Sequence, residues 1–190
     1  MRRYLSHVLT VLFVFMVAAA PSRAGDDYTI DGMHASVTFK ISHAGLSYIH
    51  GRFDDFSGTF TVDPAAANCS FNMTIKAESI DTNNKKRDDH LRSGDFFNAK
   101  QFPTITFKST AVQTGKDGYD VTGDLTMHGV TKQVTLALTG GKTVEFPKGT
   151  QRTGFTTDVV LKRADFGIDK FPGMLGDEVH VAVSFEGTRK

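Results

Sequence analysis

From Tyr28 to Phe185 the apolar positions recur mainly with period two, the spacing of strands that bury one face and wet the other. Val37, Phe39 and Ile41 alternate with Ser36, Thr38 and Lys40. Phe71, Met73 and Ile75 alternate with Asn72, Thr74 and Lys76, and Ile105 and Phe107 with Thr104, Thr106 and Lys108. Val121, Leu125 and Met127 share a phase with Gly123. The scheme repeats in Val134, Leu136 and Leu138, in Phe155, Val159 and Leu161, and in Val179, Val181, Val183 and Phe185. Turn residues stand between these runs at Asp63-Pro64, Lys116-Asp117-Gly118, His128-Gly129, Gly140-Gly141 and Pro147-Lys148-Gly149. Short connections between one-faced strands predict antiparallel neighbours. The polar stretch from Thr82 to Ser93 breaks the pattern. Asp81 or Thr82 as N-cap, Lys85/Asp89 and Asp88/Arg92 at four-residue spacing, and Gly94 as a stop predict a short surface helix or long loop there.

Eight or so such strands must bury their apolar faces either as two stacked sheets or as one sheet closed on itself, and periodicity does not choose between them. Composition says what fills the interior: 16 Phe and 6 Met against 4 Tyr and no Trp. Rings without polar atoms serve as packing or as the wall of a small apolar chamber. No linker or composition break divides the chain after its first residues, so one domain is expected over residues 25–190. Lys plus Arg number 22 against 21 Asp plus Glu, which excludes the basic field that nucleic-acid binding requires.

The first residues carry an export signature. Arg2 and Arg3 precede an apolar run from Val8 to Ala20, broken only by Thr10 and too short for the roughly 20 residues of a membrane span. Ser22 and Ala24 match the small-residue pattern of a cleavage site, so residues 1–24 are expected to be a signal peptide. Cleavage would remove Arg2, Arg3 and Arg23 and shift the formal charge from +1 to −2. No membrane-integral segment is expected in the mature chain. Cys69 is the only cysteine, so an oxidising compartment offers it no intramolecular partner. It shares the phase of Phe71, Met73 and Ile75 and reads as a small buried filler.

Motifs for chemistry are weak. The histidines at 34, 43, 50, 90, 128 and 180 lack metal-ligand spacing, and no nucleophile elbow or phosphate-cradling glycine loop is present. Asp54-Asp55 and Asp88-Asp89 read as solvated faces, as does Lys85-Lys86-Arg87, whose alternative reading is a contact to an anionic head group.

Several separate motifs, in order, carry more than a pattern. They are the segment from His34 to His43, Gly51-Arg52-Phe53, Ser79-Ile80-Asp81-Thr82, Arg87-Asp88-Asp89-His90-Leu91, Asp95-Phe96-Phe97, Phe102-Pro103, the segment from Gly123 to Thr131, and Arg163-Ala164-Asp165-Phe166-Gly167. Together they resemble the YceI-like family of exported polyisoprenoid-binding proteins, from about Tyr28 to Phe185. Gln133, where many relatives have Pro, is a small departure. The resemblance implies an all-β protein: an eight-stranded antiparallel lipocalin-like barrel with a short helix inserted near residues 82–93. It also implies a periplasmic carrier without covalent chemistry, cofactor or metal, whose partner is a polyisoprenoid or quinone-type lipid. A homodimer is left open.

Phe39, Ile41, Phe53, Phe60, Phe71, Met73, Ile75, Phe107, Leu125, Met127, Leu136, Phe155 and Leu161 are expected to line the pocket. The segment from Phe166 to Leu175 would form a lid carrying Phe171, Met174 and Leu175, with His34, His43, Arg87 and His128 at the mouth. Burying one isoprene unit yields about 4 kcal/mol at ~0.8 per carbon, whereas association costs about 4–15 kcal/mol. The cargo is therefore expected to be a long tail and not a short terpene. The competing readings are an enzyme acting on bound lipid through His34, His43 or His128, and a ligand-free stress-related interaction module.

Overall fold

The structure, a computed structural model, describes residues 25–189; the expected signal peptide lies outside the described residues. The alternating runs form antiparallel strands throughout: β1 (Asp26–His43), β2 (Ser47–Phe53), β3 (Phe56–Val62), β4 (Ser70–Lys76), β5 (Ile80–Asp81), β6 (Thr104–Thr114), β7 (Gly118–Met127), β8 (Val130–Gly140), β9 (Val144–Glu145), β10 (Gln151–Lys162) and β11 (Leu175–Arg189). β2 and β3 are two halves of one strand broken at Asp54 and Asp55, and β4 and β5 are likewise halves interrupted at Ala77–Ser79. With β9 a two-residue appendage to β10, eight strands remain, in the order β11-β10-β8-β7-β6-β4-β3-β1. β1 then pairs back onto β11 from Thr29↔Thr188 to His43↔Leu175, which closes the barrel. Closure removes both sheet edges, the choice that alternation alone left open.

All five predicted turns fall between strands, and His128 and Gly129 turn the chain with φ of 52° and 75°. The ladder between β8 and β10 is short. These strands pair at Phe155↔Gly140 and Thr156↔Thr139, and beyond that point no register pairs join them among the described residues.

One end of the barrel is solid. Tyr28 stacks on Phe60 with centroids 5.1 Å apart, Phe60 stacks on Phe71 at 5.8 Å, and Phe155 meets Phe60 and Phe71 edge-on at 5.8 and 5.4 Å. These edge-to-face and offset contacts suit the ring quadrupoles. Phe60 fits because Gly187 offers bare backbone: a Cβ there would collide with Cε1 and Cζ of the Phe60 ring. Cys69 is buried beside this plug and lends its thiol to the Asp63 carbonyl.

The inserted helix α1 spans Lys85–Arg92. Its N-cap is Asn84, whose side chain accepts from the Arg87 N–H at 3.0 Å, and not Asp81 or Thr82. Lys85 meets Asp89 at 2.7 Å as the spacing implies, whereas Arg92 turns to Asp89 and not to Asp88. Asp88 is buried, because it accepts from both the backbone N–H and the hydroxyl of Thr82 and so draws the helix onto the barrel. Arg92 fixes the other end through the carbonyls of Glu78 and Ile80, each at 2.7 Å.

At the plugged end, Arg152 donates to Asp31 at 2.8 Å, and His34 Nδ1 lies 2.9 Å from the same carboxylate oxygen. His34 first, then Arg152, holds the Asp31 carboxyl at about 2, below its ordinary 3.8. The fold thus favours the ionised form, so this contribution to stability is present above pH ~4 and is lost as pH falls through about 2. The melting-temperature gap between wild type and Asp31→Asn is expected to hold from pH 6 down to about 4 and to close towards pH 2. A gap independent of pH would contradict the assignment.

Candidate functional site

Away from the aromatic plug the barrel encloses an apolar cavity with two lobes. The outer lobe, of about 400 Å³, lies beneath α1 and the loop after β10, and the inner one, of about 140 Å³, reaches down to Phe60 and Phe71. Val37, Phe53, Met127, Leu161 and Val181 line both lobes, so the two adjoin at a shared waist. The outer lobe alone falls within the ~300–1,000 Å³ of ordinary small-molecule pockets. A larger and more open concavity of about 830 Å³ has Lys40, His50, Arg52, Asp158 and His180 along its border.

Most of the expected lining is where alternation places it. Phe60, Phe71, Met73, Ile75, Phe107, Leu125 and Leu136 face the inner lobe; Phe39, Ile41, Phe171, Met174 and Leu175 face the outer; Phe53, Met127 and Leu161 face both. Phe155 is a correction. It points inward but is 2% exposed and lies within the aromatic plug, outside both lobes.

The expected mouth is only partly assembled. His43 and Arg87 line the outer lobe, and His90, which went unpredicted, joins them. His34 sits at the opposite end, nine residues and roughly 30 Å along β1 from His43. His128 is drawn off by a local turn: its Nδ1 lies 3.1 Å from the Phe166 carbonyl and its ring packs edge-on to Phe102. Sequence reasoning also missed Leu91, Phe96, Phe97 and Ile168, which roof the outer lobe from α1 and the loops. Their apolar character inside otherwise polar segments was the available signal.

Arg87, Arg163 and Asp95, near the mouth, are engaged by the protein itself. Arg87 donates from Nε to the Thr82 hydroxyl and from Nη2 to the Thr82 carbonyl, each at 2.7 Å. Arg163, 7% exposed, donates to the carbonyls of Gly176, Ile168 and Leu175 at 2.9, 2.8 and 3.3 Å. These bonds tie down both ends of the expected lid. His90 and then Lys170 lower the Asp95 carboxyl below its ordinary value, so it stays ionised between them. Among the described residues no three His, Cys, Asp or Glu side chains gather as a metal site, and no helix is long and apolar enough to cross a membrane.

One polar atom in the inner lobe has no protein partner. Thr157 points into it from β10, is buried, and its hydroxyl makes no hydrogen bond among the described residues. Leaving such a group unpaired costs about 1–3 kcal/mol. Thr157→Val, which keeps the shape, is expected to stabilise the protein by ~1 kcal/mol in urea unfolding; unchanged or lower stability would show the hydroxyl to be satisfied.

A closed antiparallel barrel, plugged at one end and hollow beneath a helix-and-loop roof at the other, is a lipocalin-like architecture. The chain belongs to the YceI-like domain family, which it matches over residues 28–187. It is 43% identical over 188 residues to Protein YceI of Escherichia coli O157:H7, covering 96% of this chain and 97% of that one. Among solved structures it is similar to Burkholderia cenocepacia BcnA, with a TM-score of 0.72 and 29% identity over 83% of this chain and 98% of that chain. A polyisoprenoid binding domain from Saccharophagus degradans, implicated in plant cell wall breakdown, shares the fold with a TM-score of 0.66 at 18% identity, over 86% of this chain and 98% of that chain.

Proposed function

We propose that this protein is an exported carrier that takes a long isoprenoid tail, of polyprenyl or quinone type, into the two-lobed cavity and performs no covalent chemistry on it. The observation that carries this reading is the pair of adjoining apolar lobes that together extend from the roofed mouth to the aromatic plug. Membership of the YceI-like family and the name of the Saccharophagus degradans domain support the ligand class. The export signature of residues 1–24 supports the compartment. A tail of several isoprene units overcomes the cost of association, where a single unit at about 4 kcal/mol does not. The thioethers of Met73 and Met127 adapt the wall to more than one tail. Selectivity is therefore expected to be modest.

Of the three histidines on which an enzymatic reading drew, only His43 borders the cavity, and among the described residues neither a nucleophile nor a carboxylate is hydrogen-bonded to it. The test is mass spectrometry of organic extracts from the purified protein. The expected result is an intact prenyl lipid in near-stoichiometric amount. A protein that emerges free of lipid from cells rich in prenyl lipids, and that takes up none from detergent, would overturn the proposal.

A further inference from the structure

We infer that the rim of the cavity mouth is a docking surface for a lipid bilayer, with the β1–β2 hairpin tip as its leading edge; this inference rests on the carrier reading above. The tip is built to project. Ala44 and Gly45 turn the chain with φ of 52° and 67°, the Leu46 N–H closes the turn onto the His43 carbonyl at 3.0 Å, and Leu46 is left 86% exposed. Leu46 lines neither lobe, so its exposure serves neither the core nor the cavity wall. The neighbouring loop is fastened to the tip by the Ala44 N–H, which donates to the Met174 carbonyl at 2.6 Å. That loop brings Met174 to the tip, and Met174 and Phe171, both about half exposed, border the outer lobe, Phe171 packing on His90 and Phe96.

The chemistry behind the apex favours a bilayer over a protein partner. Two residues along β2, a distance of roughly 7 Å, Tyr48 is half exposed and carries the Lys40 ammonium 5.1 Å from its ring centre. An apolar apex backed by an aromatic–cation pair is the order of groups met on passing from acyl chains to head groups. Interfacial elements bury their apolar face by roughly 5–10 Å, with Tyr, Trp and Lys at head-group level. A bilayer is also the occupant that the cargo demands. Every isoprene unit that crosses water adds its own hydrophobic cost, so a long tail passes into the cavity only while the mouth is against the phase that holds it.

The chain has no Trp, so one introduced at the tip is the only indole in the protein. Leu46→Trp, mixed with vesicles of phosphatidylethanolamine and phosphatidylglycerol, is expected to shift its emission to the blue and to be quenched by brominated acyl chains. Met33→Trp, placed on an equally exposed apolar residue at the plugged end, is expected to do neither. Leu46→Asp is expected to lower vesicle partitioning at least tenfold while loading of detergent-dispersed octaprenol stays unchanged. Unshifted emission from the Leu46→Trp variant, partitioning unaffected by Leu46→Asp, or a mouth-to-mouth dimer that Leu46→Asp dissolves would each overturn the inference. Failure of the wild type to load octaprenol from detergent would instead overturn the carrier reading, whatever the vesicles show.

Discussion

Leu161→Trp is expected to weaken binding of the proposed isoprenoid tail by roughly two to three orders of magnitude. Leu161 points inward from β10 and lines both lobes where they adjoin, so an indole there fills the space between them. Excluding even one isoprene unit forfeits about 4 kcal/mol of burial, and at ~1.4 kcal/mol per decade this amounts to a roughly 10²–10³-fold weaker Kd. The barrel itself should hold, because the added ring occupies cavity volume rather than packed core, and overpacking costs arise where there is no room. Val160→Trp is the control. Val160 is the next residue on the same strand, faces outward and is exposed, so it should leave lipid content and affinity unchanged. Lipid extracted from Leu161→Trp in wild-type amount would mean that the cavity is not where the tail resides.

The largest loss of stability is expected from Arg163→Ala. The guanidinium is buried without a carboxylate partner among the described residues and is held by the backbone carbonyls of Ile168, Leu175 and Gly176. Truncation leaves those acceptors unpaired in a water-poor site, at about 1–3 kcal/mol for each group that finds no water. A total of ~3–5 kcal/mol is expected in urea unfolding, with raised hydrogen exchange concentrated between residues 164 and 176. Because this loop contributes Ile168, Phe171, Met174 and Leu175 to the outer lobe, lipid release should accelerate as well. Arg163→Lys should recover only part of the loss, since an ammonium is a point charge and does not reproduce the planar fork. A urea midpoint equal to that of the wild type would show that the loop is held by packing alone.

Much of the barrel was legible because alternation reports directly which side chains share a face. Val37, Phe39 and Ile41 read as one face of a strand and are one, and Cys69 read as a buried filler and is buried. The site was legible only to the depth of that rule. Met73 and Phe155 have the same kind of phase in their strands, yet Met73 borders the inner lobe and Phe155 is locked among Phe60, Phe71 and Tyr119. Position along the barrel axis separates them, and that depends on register between strands distant in sequence. The helix cap shows the same limit at short range. Thr82 has the chemistry of an N-cap, but its hydrogen-bonding capacity is taken by Asp88 and Arg87, and Asn84 caps instead.

The sequence by itself determined most of the strands, their turns and the inserted helix, because each follows from contacts between residues near in the chain, and its composition determined a Phe-rich interior. Three things were decided only by the tertiary structure: closure into a barrel, the division of its interior into plug and cavity, and the choice of His43 and His90 over His34 and His128 at the mouth. Each depends on what lies across the barrel from a given side chain. A period of two names the face that turns inward, and only the packed fold shows whether that face meets another side chain or open space.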